Sequence, residues 1–194
     1  MVSVIISGMA GVGKSTVAEI VAKKLNLELK IGGDILKDYA AKLGYKGTDR
    51  NDFWDTEEGK SFLKLREHDS SFDKKVDEFL KELINTKEMV ITSWTLPWLV
   101  ENFHVKVWLK ASQKTRAKRI SERDHIPFEK ALEVVKERDN ENFVHYKKLY
   151  GIELDKDYSV FNLVIDTEFV KPDAISELLI IYYREYKIGT RNSK

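Results

Sequence analysis

The segment that most constrains the fold lies at the N-terminus, where an apolar run passes through a glycine-rich turn into an amphipathic stretch. The run Val2–Ser7 is typical of a buried strand, and GMAGVGKST follows at residues 8–16. From Lys14 to Leu25, apolar residues recur at helical spacing. A strand–turn–helix unit of this kind predicts an α/β protein with a mainly parallel sheet.

The turn matches the pattern GxxxxGK[ST] through Gly8, Gly13, Lys14 and Ser15. Glycines let the backbone wrap around phosphates, and the N-terminus of the following helix adds positive potential. Lys14 is predicted to reach the β- and γ-phosphates of ATP or GTP, and Ser15 to bind Mg²⁺. The alternative, a chance glycine turn capped by Ser15 and Thr16, leaves the strand and helix on either side unexplained. The predicted loop comprises Gly8, Met9, Ala10, Gly11, Val12, Gly13, Lys14, Ser15 and Thr16.

The rest of the chain continues the alternation of strands and helices. Further strands are predicted at residues 27–31, 89–92, 103–109 and 162–165, where β-branched and aromatic residues are frequent. Residues 44–60 show no periodicity and carry turn formers, which predicts a loop. No linker marks a second domain, so the 194 residues are predicted to form one domain.

Composition excludes several classes of function. The chain has no cysteine, which excludes disulfides, thiolate catalysis and cysteine-bound zinc. Its net charge of +1 gives no support for a nucleic-acid partner. No apolar run approaches the ~20 residues that span a bilayer. We expect a cytoplasmic protein, a monomer or weak dimer, with neither a membrane nor a nucleic-acid partner.

An arginine-rich segment at residues 110–123 follows a predicted strand and is expected to be helical. Arg116, Arg119 and Arg123 recur at spacings of three and four and share one helical face. Such a face is either solvated or closes over phosphates, where guanidinium groups stabilise the charge of a transferring phosphoryl group. Base-reading signatures of the NKxD type, typical of GTPases, are absent. Together with the short chain, this favours a small-molecule kinase.

The stretch that begins at Pro127 has helical periodicity and is apolar at both ends but polar in the middle. The polar positions include Arg138, Asn142 and His145. An interruption of this kind predicts either a solvated surface or the wall of a ligand cavity.

Taken together, these segments resemble the cytidylate kinase-like group of nucleoside monophosphate kinases, especially its small archaeal type. Besides the glycine-rich loop, the resemblance is carried by GGDILKDYAAKLG at 32–44, FDKKVDEFL at 72–80, VWLKASQKTRAKRISERDHIPFEKAL at 107–132, KERDNENFVHYKKLYGIEL at 136–154 and FNLVIDTE at 161–168. The resemblance implies an α/β fold, namely a P-loop three-layer α/β/α architecture with a five-stranded, mainly parallel sheet. It also implies an NMP-binding insertion at about 33–85 and a small helical lid at about 120–145.

The resemblance also implies roles for individual residues. The loop would hold ATP and Mg²⁺, with Ser15 as the metal ligand and Arg116 near the ATP base. The implied catalytic residues around the phosphates are Lys14, Arg119, Arg123 and Arg138. Asp34 and Lys37 match the start of the helix that binds the acceptor nucleotide. A helix N-cap is the alternative for Asp34, because it follows two glycines.

The acceptor side departs from the family pattern. The family usually has Glu-Gly-Arg at the end of a core strand, and this chain has Thr92-Ser93-Trp94. Trp94 is therefore predicted to contact the acceptor, and the alternative is packing beneath the helix that binds the acceptor nucleotide. Asn142 and His145, which replace acidic and arginine residues, are also predicted to contact the acceptor. Lys37 stands in place of an arginine and offers a point charge instead of a fork. Trp98 matches a tryptophan common in the family, and core packing is predicted for it.

The leading hypothesis is ATP-dependent phosphoryl transfer to a nucleoside monophosphate or a similar small phosphorylated acceptor. One alternative is an ATP-binding paralogue with little kinase activity that acts as a sensor or partner-binding module. Another is a kinase for a different small metabolite. The sequence leaves the acceptor open.

Overall fold

The computed structural model describes residues 1–50, 52–101 and 103–192. Five strands form one sheet in the order β2-β3-β1-β4-β5, and all neighbouring strands are parallel. The strands are β1 (Val4–Gly8), β2 (Glu28–Ile31), β3 (Met89–Thr92), β4 (Val105–Lys110) and β5 (Leu163–Asp166). The predicted fold class is confirmed, and the predicted strand bounds agree with these to within two residues.

The connections between strands are helical. The helices are α1 (Lys14–Leu25), α2 (Gly32–Lys42), α3 (Glu57–His68), α4 (Ser71–Thr86), α5 (Leu96–Leu99), α6 (Gln113–Asp124), α7 (Phe128–Tyr150) and α8 (Pro172–Asn192). Over the described ranges, none of them is long and apolar enough to cross a bilayer. The insertion and lid boundaries remain predictions, with α3 inside the first range and the α6–α7 turn inside the second.

The sheet is apolar on both faces, as a parallel sheet covered by helices requires. Val4 and Ile6 of β1 face one side, where α1 and α8 pack through residues such as Val21 and Leu179. Ile5 points to the opposite side and joins the core formed with α4. The three layers leave the carboxyl ends of the strands open, and the glycine-rich loop lies there.

The prediction of a loop at 44–60 is wrong in part, although residue 51 lies outside the described residues. A 3₁₀ turn forms at Phe53–Asp55, and α3 begins soon after it. Phe53 is fully buried with Phe62, so distant packing orders a segment that has no periodicity. Thr56 caps α3 by accepting a hydrogen bond from the amide of Gly59 at 3.1 Å.

Candidate active site

A cleft of about 710 Å³ opens at the carboxyl ends of the strands. The glycine-rich loop forms one side, and residues from α2, α3, α4 and α7 form the other. Open α/β sheets commonly bind ligands at this edge, because the loops that follow the strands converge there.

The glycine-rich loop has the backbone geometry of an anion-binding turn. Gly8, Gly11 and Gly13 have φ angles of 144°, 76° and 97°, which side chains rarely allow. A Cβ on Gly8 would lie 2.3 Å from the carbonyl oxygen of Leu109, so glycine is required there. Helix α1 begins at Lys14 with no side-chain cap and no acidic residue in its first turn. Its N-terminus therefore keeps its positive potential for an anion.

Lys14 is folded back onto the loop. Its Nζ donates to the carbonyl oxygens of Gly8 at 2.7 Å and Met9 at 3.0 Å. Burial, helped by the charges of Arg138 and Arg116, lowers the pKa of Lys14 to about 7. An anion beside this ammonium would favour its charged form, so phosphate binding and protonation of Lys14 reinforce each other.

Arg116 lies beneath the loop. Its side chain is buried and forms two bonds with Asp139, at 2.9 and 2.7 Å, and a third with the carbonyl oxygen of Ala10 at 3.1 Å. These contacts fasten the loop to α7. They do not test the predicted proximity of Arg116 to the ATP base, which stays a prediction. The sequence reading missed Asp139, because a buried partner on another helix leaves no local signal.

Arg119 lines the cleft beside the loop. Its guanidinium donates to the carbonyl oxygen of Val12 at 3.2 Å and to the hydroxyl of Thr167 at 3.0 Å. Val170, another residue of the cleft, follows shortly after Thr167. Arg119 is thus fixed between the glycine-rich loop, called the phosphate loop below, and the segment that follows β5.

Arg123 and Arg138 converge on one carboxylate that the sequence reading missed. Asp55 lies 3.6 Å from Arg123 and 3.4 Å from Arg138. Its Oδ2 is buried and accepts no hydrogen bond from any described residue. Burial raises the pKa of Asp55, although the two arginines act in the opposite direction. Both arginines also line the cleft, and Arg123 donates to its neighbour Asp124 through Nε and Nη2, each at 2.6 Å.

The opposite side of the cleft carries a buried polar cluster, here called the acceptor wall, formed by Arg66, Asp73, Asp77 and Tyr146. Arg66 donates to Asp73 through Nε at 3.0 Å and also through Nη2. His145 lies 3.1 Å from the same carboxylate. Burial alone would raise the pKa of Asp73, but the Arg66 charge and these hydrogen bonds hold it well below its usual range.

Asp77 lies one helical turn after Asp73, and its pKa is shifted in the opposite direction. It accepts hydrogen bonds from the hydroxyls of Thr95 at 2.6 Å and Tyr150 at 2.8 Å. Burial, with a smaller contribution from the charge of Asp73, raises its pKa to about 6. The signal that could have revealed both acids is their place in the buried stripe of α4, beside Val76. Carboxylates on an apolar helix face need partners, and a ligand can be one of them.

The predicted acceptor residues are only partly brought together. Asp34, Lys37 and Asn142 line the cleft, whereas His145 lies behind Asp73 and faces a separate small cavity. Lys37 donates to the carbonyl oxygen of Arg50 at 3.0 Å. The N-cap alternative for Asp34 is wrong: the cap of α2 is Ile31, and Asp34 lies inside the first turn.

The two tryptophans of the SWTLPW segment have different surroundings. Trp94 lines the cleft and stacks on Tyr146, with ring centroids 6.1 Å apart and planes at 25°. Trp98 packs edge-on against Trp108 and Phe161. The prediction of core packing for Trp98 is confirmed.

Comparison with known proteins agrees with this geometry. The model of the cytidylate kinase-like family matches residues 3–168. The cytidylate kinase of Sulfurisphaera tokodaii is 38% identical over 184 residues, which cover 92% of this chain and 93% of the relative. The cytidylate kinase of Pyrobaculum islandicum is 39% identical over 171 residues, or 88% and 86% of the two chains.

A shikimate kinase from Acinetobacter baumannii, solved in complex with shikimate, superposes with a TM-score of 0.57. The superposition covers 96% of this chain and 95% of that chain at 16% identity, which shows a shared P-loop kinase fold and no more. The resemblance seen in the sequence is confirmed by the family match and by the curated relatives. The chain belongs to the cytidylate kinase-like family and is a nucleoside monophosphate kinase-like phosphotransferase.

Proposed function

We propose that this protein transfers the γ-phosphoryl group of ATP to cytidine monophosphate or its deoxy form. The observation that carries the proposal is the continuity of the cleft, which runs from the phosphate loop to the acceptor wall. A donor phosphate on the loop and an acceptor base at the wall would place the two substrates in one cleft. Phosphoryl transfer requires mainly such positioning and the stabilisation of charge.

On the donor side, the loop amides and Lys14 would hold the β- and γ-phosphates. Arg119, Arg123 and Arg138 would surround the transferring group, whose charge spreads over its equatorial oxygens. Mg²⁺ is the expected metal and would neutralise charge on the phosphate oxygens. Ser15 fits it, because a hydroxyl is a hard oxygen donor exposed at the start of α1, and Mg²⁺ usually keeps several waters.

On the acceptor side, the wall offers carboxylates that accept hydrogen bonds and a guanidinium that donates them. Cytosine presents an amino donor beside ring and carbonyl acceptors, which matches this arrangement. Uracil presents a carbonyl oxygen in place of the amino group and would face a carboxylate with another acceptor. The two relatives described above are cytidylate kinases.

The remaining acceptor contacts would come from residues at the mouth of the cleft. Lys37 would bind the acceptor phosphate as a point charge, and Asn142 and Asp34 would offer polar contacts to the nucleoside. The insertion at about 33–85 would carry these groups, and the lid at about 120–145 would bring the arginines over the phosphates.

The test is a panel of purified protein, Mg-ATP and each ribo- and deoxyribonucleoside monophosphate, scored for ADP and nucleoside diphosphate. We expect the highest kcat/KM with CMP or dCMP, and values about 5- to 150-fold lower with UMP, since an unpaired buried polar group costs roughly 1–3 kcal/mol. Equal turnover of CMP and UMP would overturn the assignment of the base.

A second candidate, an ATP-binding module with little kinase activity, is favoured by one observation. Thr92 and Trp94 provide neither a carboxylate nor a guanidinium at the end of β3, where the family pattern has both. Tight ATP binding without diphosphate formation from any monophosphate would support this candidate. Phosphorylation of a small metabolite other than a nucleotide would instead support a kinase with another acceptor.

A further inference from the structure

Lys14 has a third neighbour besides the two carbonyl oxygens that it bonds. Its Nζ lies 4.8 Å from the centroid of the Trp94 ring, over the ring face. The face of an indole carries partial negative charge and attracts a cation within about 6 Å. The ammonium of Lys14 therefore forms a cation–π contact with Trp94.

The Trp94 ring is held in this position from below. It stacks on Tyr146, whose side chain is only 3% exposed. The hydroxyl of Tyr146 accepts a hydrogen bond from Arg66 at 3.2 Å and donates one to Asp73 at 3.3 Å. The carbonyl oxygen of Trp94 accepts a hydrogen bond from the Ser7 hydroxyl at 3.3 Å. The ring is thus a fixed support, and it links Lys14 to the acceptor wall.

The charges around Lys14 explain why an aromatic ring suits this position. Arg138 and Arg116 act on the ammonium as like charges, and Asp139 is the opposing negative charge. A guanidinium at position 94, as in the family pattern, would add another positive charge to this group. An indole face attracts the ammonium without adding a charge of its own.

We propose that Trp94 is a positioning residue for Lys14, whose ammonium it holds at the phosphate site through its ring face. When ATP binds, the phosphates replace the carbonyl oxygens of Gly8 and Met9 as partners of Nζ, and the ring contact stays. This inference rests on the ATP-binding half of the proposed function and is independent of the acceptor. It also differs from the contact with the acceptor that the sequence predicts for Trp94.

The two roles of Trp94 are separated by measuring ATP binding without any acceptor. Isothermal titration calorimetry with Mg-ATP and the Trp94→Leu variant should show an affinity about two- to tenfold lower than that of the unmodified protein. The Trp94→Phe variant keeps a ring face and should retain most of the affinity. If Trp94 contacts only the acceptor, both variants bind ATP as the unmodified protein does, and the inference is overturned.

A double-mutant cycle distinguishes positioning of Lys14 from a general loosening of the site. In a Lys14→Met background, Trp94→Leu should leave the residual ATP affinity unchanged, because the cation that the ring supports is gone. An equal loss in both backgrounds would mean that Trp94 acts on ATP without Lys14, against the inference. Trp98→Phe is the matched control, since Trp98 packs in the core, and it should leave ATP affinity unchanged.

These binding measurements also separate the inference from the proposed function. A protein that binds ATP, shows the expected coupling and phosphorylates no monophosphate would retain the inference and lose the proposed function. A protein that phosphorylates CMP but shows no coupling between Lys14 and Trp94 would retain the proposed function and lose the inference.

Discussion

The phosphate loop and the acceptor wall face each other across one cleft, but they are assembled in different ways. The loop is formed by nine consecutive residues, and its anion site depends mainly on backbone geometry at Gly8 and Gly13. The wall combines Arg66 of α3, Asp73 of α4 and Tyr146 of α7, and these side chains bond one another in the interior. The difference indicates that binding chemistry and fold stability are separate in the loop and joined in the wall.

The largest expected effect is that of Lys14→Ala, which should reduce activity strongly and stability little. Lys14→Ala should lower kcat/KM by about 10³-fold, since removing one preorganised charge stabiliser costs 10²–10³ and Lys14 also contributes to binding. The midpoint of thermal unfolding should change little, because the ammonium contacts two carbonyl oxygens of the loop and the face of the Trp94 ring and has no ion-pair partner among the described residues. Steady-state kinetics and calorimetry test both points. Undiminished turnover would contradict the role of Lys14.

The matching change in the acceptor wall should affect stability as well. Arg66→Met leaves the buried carboxylate of Asp73 without its main partner, and breaking a buried ion pair costs about 3–5 kcal/mol. Denaturant unfolding should show a loss of this size. Lys24→Met, which removes an exposed ion pair with Glu177, is the control and should cost less than about 1 kcal/mol. Similar losses in both variants would remove the contrast between wall and surface.

The raised pKa of Asp77 predicts that the free energy of unfolding depends on pH. Its folded-state pKa of about 6 lies above the ordinary value of 3.8, so the stability it contributes is present below pH 4 and is lost as pH rises through 6. Asp77→Asn removes this dependence, and the free energy of unfolding of the variant relative to the unmodified protein should rise by about 2–3 kcal/mol between pH 4 and 7. Denaturant titrations at several pH values test this.

Asp73, on the same helix, should give the opposite dependence of stability on pH. Because its folded-state pKa is depressed, the stability it contributes is present above pH 4 and is lost as pH falls. Asp73→Asn should therefore weaken the protein most at neutral pH. If the Asp73 and Asp77 variants showed the same trend with pH, the assignment of one carboxylate paired with Arg66 and one hydrogen-bonded to hydroxyl groups would be wrong.

The smallest expected effect concerns Asp55, which lies beside both Arg123 and Arg138. Asp55→Asn keeps the size of the side chain and removes the charge that competes with phosphate for Arg123 and Arg138. The contacts of 3.4 and 3.6 Å are long, so ATP affinity should rise by no more than about fivefold. Calorimetry with Mg-ATP measures this change. A loss of affinity would mean that Asp55 supports the arginines more than it competes for them.

The sequence by itself determined the glycine-rich turn with its helix and the strands of the sheet. Loop chemistry and strand patterns are local, so Gly8, Gly13, Lys14 and the strand Met89–Thr92 could be located from neighbouring residues alone. The family resemblance extended this to the whole fold.

Only the tertiary structure decided the acceptor wall, the contact of Asp55 with Arg123 and Arg138, and the contact of Lys14 with the Trp94 ring. The physical reason is that a buried ionisable group is stable only beside a partner, and these partners come from segments far apart in the chain. Asp73 and Tyr146 lie 73 residues apart, and Lys14 begins α1 whereas Trp94 follows β3. Local periodicity shows that a position is buried, whereas the fold decides which charge or ring it meets.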